Sequence, residues 1–200
     1  SGLGRAGAVG KMTGAGCLSS GWGREEGVSF AIRARAYTIR GLLRGKTMTP
    51  ERYRRICDTL DRRQPDLTVI MDGVHKPHNI AAIVRTCDAV GIMDVHAILP
   101  NNRARMAAGT AMGSQRWVKV HKRDESTSVI RELQGEGVQV LAAHLSDTAI
   151  PYRQVDFTRP TALLLGTEKF GVSDEAAAAV DQHVIIPMMG MVESFNVSVA

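Results

Sequence analysis

Few side chains in this 200-residue chain are spaced for chemistry, and local pattern alone weighs against several of them. His75 and His78 stand three apart, a spacing that a helix turns into paired metal ligands, but Pro77 intervenes and no third ligand is identifiable, so no metal is expected. His144 follows the apolar run VQVLAA (138–143) without a recognisable carboxylate or cysteine partner, which favours a locally hydrogen-bonded histidine over a catalytic base. GTEKFG (166–171) follows another apolar run, matches neither GxGxxG nor the phosphate-loop pattern ending in Gly-Lys-Ser/Thr, and by itself reads as a turn. The missing fingerprints weigh against a nucleotide-binding dehydrogenase or a phosphate-loop enzyme. Arg85 sits in NIAAIVRTCDAVG (79–91), six residues after Asn79, in a pattern that turns Ile80, Ile83, Val84 and Val90 inward. On that pattern alone it is an arginine on a solvated helix face.

The elements that must position these residues alternate strand and helix. Thr49-Pro50-Glu51 supplies an N-cap, a first-turn proline and an acid at the positive end of a helix that is expected to run to about Gln64. After Pro65 the short apolar runs predict strands at 67–71, 95–100, 117–120, 138–143, 161–166 and 183–187. Helices are predicted over 79–91, over 124–135, which Gly135 and Gly137 terminate, and over 173–180, with Ser173 as its cap. The alternation is that of an α/β fold with a parallel sheet flanked by helices. Ligands in such folds bind beyond the carboxyl ends of the strands, where GTEKFG and PMMGMVESFN (187–196) lie.

Charge is distributed unevenly. Residues 1–47 hold eight Lys/Arg against two Asp/Glu, whereas 48–200 hold seventeen against eighteen, so the net charge of +5 belongs to the N-terminal stretch. That stretch also carries eleven of the twenty glycines and has no sustained apolar period, so it is read as a disordered leader outside the native enzyme, which starts at Met48. Any affinity of the body for nucleic acid must come from local patches. Helix 50–64 offers one in Arg52, Arg54, Arg55, Arg62 and Arg63, with only Tyr53 as an aromatic; Glu51, Asp58 and Asp61 make a solvated, ion-paired face an equal alternative. No apolar run spans a bilayer, and three widely separated cysteines, Cys17, Cys57 and Cys87, fit a reducing cytosol rather than a disulfide framework. A cytoplasmic protein is expected.

Three segments taken together are more specific than any one of them. HNIAAIVRTCDAVG (78–91), LLLGTEKFGVS (163–173) and IIPMMGMVESFNVSVA (185–200) resemble, in order, the three motifs of the SpoU/TrmH family of SPOUT RNA 2′-O-methyltransferases. RRQPDLTV (62–69) and VHKPHN (74–79) are similar to the TrmH branch, and the resemblance runs from Met48 to Ala200. It implies a C-terminal deep trefoil knot, S-adenosylmethionine as methyl donor, tRNA as substrate with the D-loop guanosine at position 18 as target, and a homodimer. It divides the chain into a leader (1–47), a basic tRNA-contacting helix (48–66) and a methyltransferase domain (67–200), whose final helix, completing the knot, would lie beyond Ala200.

Carried over residue by residue, the resemblance implies a catalytic set of Arg85, Asn79, Glu168 and Asn196. The cofactor pocket would comprise Ala143, His144, Gly166, Ile186, Met191, Ser194 and Phe195, with Gly166, Gly171 and Gly190 allowing close approach or positive φ. It tips the arginines of the first helix, Arg52, Arg55, Arg62 and Arg63, towards tRNA. A guanidinium stays protonated to a pKa above ~12, so Arg85 is expected to fix a phosphate or the ribose rather than to take a proton. Residue-level alternatives remain: Glu168 as a loop carboxylate paired with Lys169, and Ser194 as the N-cap of a segment starting near Asn196. Glu193 departs from the glutamine expected there. A ribosomal-RNA methyltransferase of the same superfamily, or a non-catalytic RNA-binding protein on this fold, are the alternative functions.

Overall fold

Side chains alternate across a strand, and here the alternation feeds two cores. Val69, Met71, Val95 and Ala97 enter one with Ile80, Ile83, Val84 and Cys87, while Ile70, Ile98, Ala162 and Leu164 enter the other with Val129, Ile130, Leu133 and Ala176. The computed structural model describes residues 49–99 and 114–200; residues 1–48, with the expected leader, and 100–113, with the expected end of strand 95–100, lie outside them. The elements are α1 (Pro50–Leu60), β1 (Leu67–Asp72), α2 (Pro77–Val90), β2 (Asp94–Ile98), β3 (Lys119–Arg123), α3 (Ser126–Gly135), β4 (Gln139–Ala143), β5 (Ile150–Pro151), β6 (Thr161–Leu165), α4 (Asp174–Ala179) and β7 (Gln182–Ile185). The strands form one sheet of order β3-β2-β1-β6-β4-β7-β5, with every pairing parallel. Burial on both faces explains the near-continuous apolar runs of β1 and β6.

Several boundaries depart from the periodicity. Helix α1 starts as expected, with Thr49 Oγ1 accepting from the Arg52 amide at 3.3 Å, but ends at Leu60. Two of the next four residues, Arg63 and Gln64, are claimed by the end of α2: Gln64 N–H donates to the Gly91 carbonyl at 2.9 Å and its side-chain amide to that of Val90 at 2.5 Å. Strand β3 begins at Lys119, because Trp117 and Val118 finish a turn that follows the 3-10 segment Ser114–Arg116. Val90, expected in the core, is 47% exposed. The two-residue strand β5 is too short for any period to reveal.

Ser173 occupies the N-cap position of α4 without capping it. Its hydroxyl and its amide both donate to Asp72 Oδ2 at 2.8 Å, and Ser126 Oγ, in the first turn of α3, donates to Asp72 Oδ1 at 2.5 Å. Asp72 is the last residue of β1 and is buried, so one carboxylate ties an interior strand of the sheet to the starts of two helices. Asp72→Ala leaves three donors without their acceptor and is expected to destabilise the fold by about 3 kcal/mol in urea unfolding, with Asp72→Asn losing less. A loss below about 0.5 kcal/mol, the range of an ordinary surface change, would show that water replaces the carboxylate.

A second polar cluster lies at the β2–β3 edge. His121 Nε2 is 2.6 Å from Asp94 Oδ1, and the His121 ring stacks on His96 at 5.0 Å. His96 is buried, its Nδ1 has no partner among the described residues, and burial first, then His121 and Arg123, lower its pKa to about 4. The folded imidazole thus stays neutral where an unfolded one, near pH 6.5, protonates. Stability is therefore expected to fall as pH drops from about 6.5 to 4, by up to about 3 kcal/mol. Chemical denaturation at several pH values checks this: His96→Gln should flatten that part of the profile, and an equally steep profile in the variant would assign it elsewhere.

Candidate active site

The carboxyl ends of β1, β6, β4 and β7 are neighbours in the sheet, and most of the residues singled out by motif lie just beyond them. Beyond β1 the chain turns at Gly73, with φ +65°, and enters α2 with Lys76 at its N-cap position and Pro77 in its first turn. Asn79 follows in that first turn and is buried, 3% exposed. Beyond β6 the chain passes Gly166 and Thr167 and doubles back at Gly171. The Thr167 amide donates to the Gly171 carbonyl at 2.8 Å and the Gly171 amide to that of Thr167 at 2.9 Å. Thr167 Oγ1 accepts from the Phe170 amide at 2.9 Å, so the loop is closed by its own backbone.

These elements bring together Asn79, Glu168 and Asn196. Asn196 Nδ2 donates to Glu168 Oε1 at 2.7 Å and lies 3.4 Å from Asn79 Oδ1. Lys76 Nζ forms an ion pair with Glu168 Oε2. Hydrogen bonding from Lys76, then from Asn79, holds the Glu168 carboxyl below its ordinary range, so it is an anion at neutral pH. Lys169, the sequence alternative for its partner, instead lies over the Phe170 ring at 4.9 Å. Val197 enters the core beside α2 and anchors the C-terminal segment that carries Asn196. Asn196 also orders that segment: its Oδ1 accepts from the Ser198 amide at 2.9 Å and the Ser198 hydroxyl at 2.6 Å. The capping position considered for Ser194 therefore belongs to Asn196, and Ser194 is exposed.

Arg85 is left outside this network. It lies on the exposed stripe of α2, seven residues and so two turns beyond His78, and its side chain makes no hydrogen bond or ion pair among the described residues. It is about 9 Å along the helix axis from Asn79, at ~1.5 Å per residue. A free guanidinium on the same helix as one member of an ordered amide–carboxylate cluster, and outside that cluster, is available to an anionic group from solution. Lys76 was not among the residues expected from sequence; the signal was its place in VHKPHN at the start of α2, with an acidic partner 92 residues away that local pattern could not supply.

Of the residues expected around a cofactor, Gly166, Ala143, His144 and Ile186 are carried to adjacent strand ends of β6, β4 and β7. The His144 amide donates to the Val184 carbonyl at 3.2 Å, and its ring lies 5.3 Å from that of His183. Gly166 is a close-approach glycine, since a Cβ there would fall 2.1 Å from the Gly171 carbonyl carbon. Gly171 has φ +70°, whereas Gly190 has neither a positive φ nor any atom within 4 Å of an added Cβ. Met191 is wholly exposed, and Phe195 is 45% exposed, on the loop 187–196. These residues suit a group gripped through backbone beyond three adjacent strand ends, the usual ligand position in such a sheet.

The arginines of the first helix divide. Arg52, Arg55 and Arg62 are exposed. Arg63, expected with them as an RNA contact, is not available: its side chain is 5% exposed, pairs with Asp88 at 2.7 Å, and donates to the Asp88 and Ile92 carbonyls at 3.3 and 3.4 Å. It fastens α1 to the end of α2, which apolar periodicity could not reveal. Among the described residues no group of three or more His, Cys, Asp or Glu is placed to hold a metal ion, and no helix is long and apolar enough to cross a membrane.

A parallel α/β sheet with an amide–carboxylate cluster and a closed glycine loop beyond its carboxyl ends defines an α/β protein built to hold a ligand there. The chain belongs to the SpoU rRNA methylase family, whose model matches residues 66–200. It is 55% identical over 153 residues to the tRNA (guanosine(18)-2′-O)-methyltransferase of Escherichia coli (strain K12), a match covering 76% of this chain and 67% of that enzyme. Among solved structures, the A. aeolicus TrmH/SpoU tRNA modifying enzyme superposes with a TM-score of 0.69 at 40% identity, over 74% of this chain and 76% of that one. An AdoMet-bound rRNA methyltransferase from Sinorhizobium meliloti has a TM-score of 0.61 at 28% identity, over 69% and 53%.

Proposed function

We propose that this protein transfers a methyl group from S-adenosylmethionine to the ribose 2′-oxygen of guanosine 18 in the D-loop of tRNA. The observation that carries the reading is the meeting of Asn79, Glu168 and Asn196, drawn from three separate motifs, with an unengaged Arg85 farther along the helix that carries Asn79. Support for the substrate comes from the E. coli relative, and for the methyl donor from the AdoMet-bound relative of S. meliloti.

S-adenosylmethionine, when bound, supplies a sulfonium-activated methyl group; the new O–C bond forms as the C–S bond breaks, and the hydroxyl proton leaves to a base. The chain's own residues hold the reactants in line, which is the larger part of what such a displacement needs. Gly166, Ala143, His144 and Ile186 would grip the cofactor at the strand ends, with Met191, Ser194 and Phe195 closing from the loop. Arg85 would fix a phosphate or the ribose. Glu168, held anionic and oriented by Lys76, would set the Asn79 and Asn196 amides to position the ribose. Arg52 and Arg55 on α1 and Arg62 just beyond it, within the segment 48–66, would contact tRNA phosphates, and residues 67–200 would form the methyltransferase domain.

The reading includes a knotted C-terminal half, a homodimer and a cytoplasmic location. The exposed apolar side chains Met189, Met191, Val192 and Val199 support a covering partner, and the Cys87 thiol, pushed up to about 12 by burial, is no disulfide former. The test is transfer of labelled methyl from S-adenosylmethionine to unmodified tRNA, with the modified nucleotide mapped. It is run on this chain and on a version extended by the final helix that the family resemblance implies. Label on the ribose of a D-loop guanosine is expected. Label on ribosomal RNA alone, or on no RNA with either version, would overturn the reading.

A further inference from the structure

We infer that the cleft between α1 and Trp117 clamps one unstacked nucleotide of tRNA, its base stacked on the Trp117 indole and its phosphates on Arg52 and Arg55. The inference rests on the tRNA reading above. The cleft has a volume of 380 Å³, within the ~300–1,000 Å³ of small-ligand sites. One wall is α1, presenting Arg52 and Arg55 with Ile56 and the Thr59 hydroxyl; Trp117, more than fifty residues away in sequence, also lines it. The two guanidiniums are three residues apart, on one helix face, exposed, and without a side-chain hydrogen bond or ion pair among the described residues. Asp88 is the acidic group in the lining, and its carboxylate is already taken by Arg63 at 2.7 Å. The field in the cleft is therefore that of two unneutralised cations.

Trp117 is held for the purpose. Its amide donates to the Ser114 carbonyl at 2.9 Å and the next residue, Val118, is 2% exposed, so the backbone is pinned while the indole stays partly exposed. A partly exposed indole lining one cleft with two free guanidiniums is the pairing that single-stranded nucleic acid selects: base on ring, phosphate on arginine. A protein partner with acidic side chains would use the arginines but leave the indole without a planar ligand.

The chain has two tryptophans, Trp22 and Trp117, so a Trp22→Phe version leaves Trp117 as the reporter. Titration of that version with tRNA is expected to quench its fluorescence saturably. Trp117→Leu, which keeps apolar bulk, is expected to raise the KM for tRNA about 5- to 150-fold, the equivalent of ~1–3 kcal/mol of lost stacking, with kcat changed by no more than about twofold. Trp117→Phe should stay within about threefold of the parent, and Arg55→Ala should reduce the salt slope of tRNA binding by about one. No quenching, or an unchanged KM in Trp117→Leu, overturns the clamp. Methyl transfer to tRNA with a Trp117-independent KM overturns the clamp and leaves the function standing; tRNA-dependent quenching without transfer to any RNA does the reverse.

Discussion

Arg85→Ala is expected to lower kcat/KM for methyl transfer by at least about 100-fold, or ~2.7 kcal/mol of transition-state stabilisation, and to leave the urea midpoint nearly unchanged. The two halves of that expectation have one source. Arg85 is exposed and engages no side chain among the described residues, so its removal deletes nothing that holds the fold, and a change at such a position stays within about 0.5 kcal/mol of stability. The same lack of partners leaves five N–H donors for a phosphate or ribose oxygen. Arg85→Lys keeps the charge but loses the planar fork, and an intermediate rate is expected. Steady-state kinetics beside urea unfolding checks the pair. Full activity in Arg85→Ala would return the residue to the solvated helix face that its local pattern suggests.

Gly166→Ala is expected to do the opposite and damage fold and site together. The new Cβ would lie 2.1 Å from the Gly171 carbonyl carbon and 2.2 Å from both its oxygen and the Val172 nitrogen, all of them backbone atoms. No rotamer change relieves such an overlap. Moving the far side of the loop means breaking the paired Thr167–Gly171 backbone hydrogen bonds of 2.8 and 2.9 Å. A destabilisation of about 3 kcal/mol or more follows, by comparison with other overpacked sites, together with a loss of S-adenosylmethionine affinity of at least about tenfold. Gly190→Ala is the matched control: it meets no atom within 4 Å and should change stability by less than about 0.5 kcal/mol. Urea unfolding and calorimetric titration with S-adenosylmethionine read both variants. A Gly166→Ala protein as stable and as tight-binding as its parent would mean that the loop does not cross itself there.

Much of the architecture is legible without coordinates, for reasons that vary by element. The strands buried on both faces, β1 and β6, declare themselves as continuous apolar runs, and α2 by its 3.6-residue period. The start of α1 is written in Thr49-Pro50-Glu51, because capping depends on a few consecutive residues. The ends are less legible. Residues 61–64 have ordinary helical composition, yet Gln64 and Arg63 bond to α2, and those contacts outweigh a few tenths of a kcal/mol of propensity per residue. Ser173 reads as a cap and sits at the cap position, but Asp72, 101 residues earlier, takes its hydroxyl.

The family motifs and the residue types within them are sequence properties, and they suffice to name Asn79, Arg85, Glu168 and Asn196 as a candidate set. Which of these touch, and what else joins them, depends on chain segments that meet only when the parallel sheet sets β1 beside β6. That placement gives Glu168 to Lys76 rather than to Lys169, joins Asn196 to Asn79 across 117 residues, and leaves Arg85 to solvent. It withdraws Arg63 from a basic face that the family resemblance tips towards tRNA, and it adds to that face an indole, Trp117, from a distant part of the chain. Local sequence dictates periods, caps and turns because their energetics act over three or four residues. Ion pairs, amide contacts and clefts couple residues whose separation along the chain is arbitrary, so only the folded packing decides them.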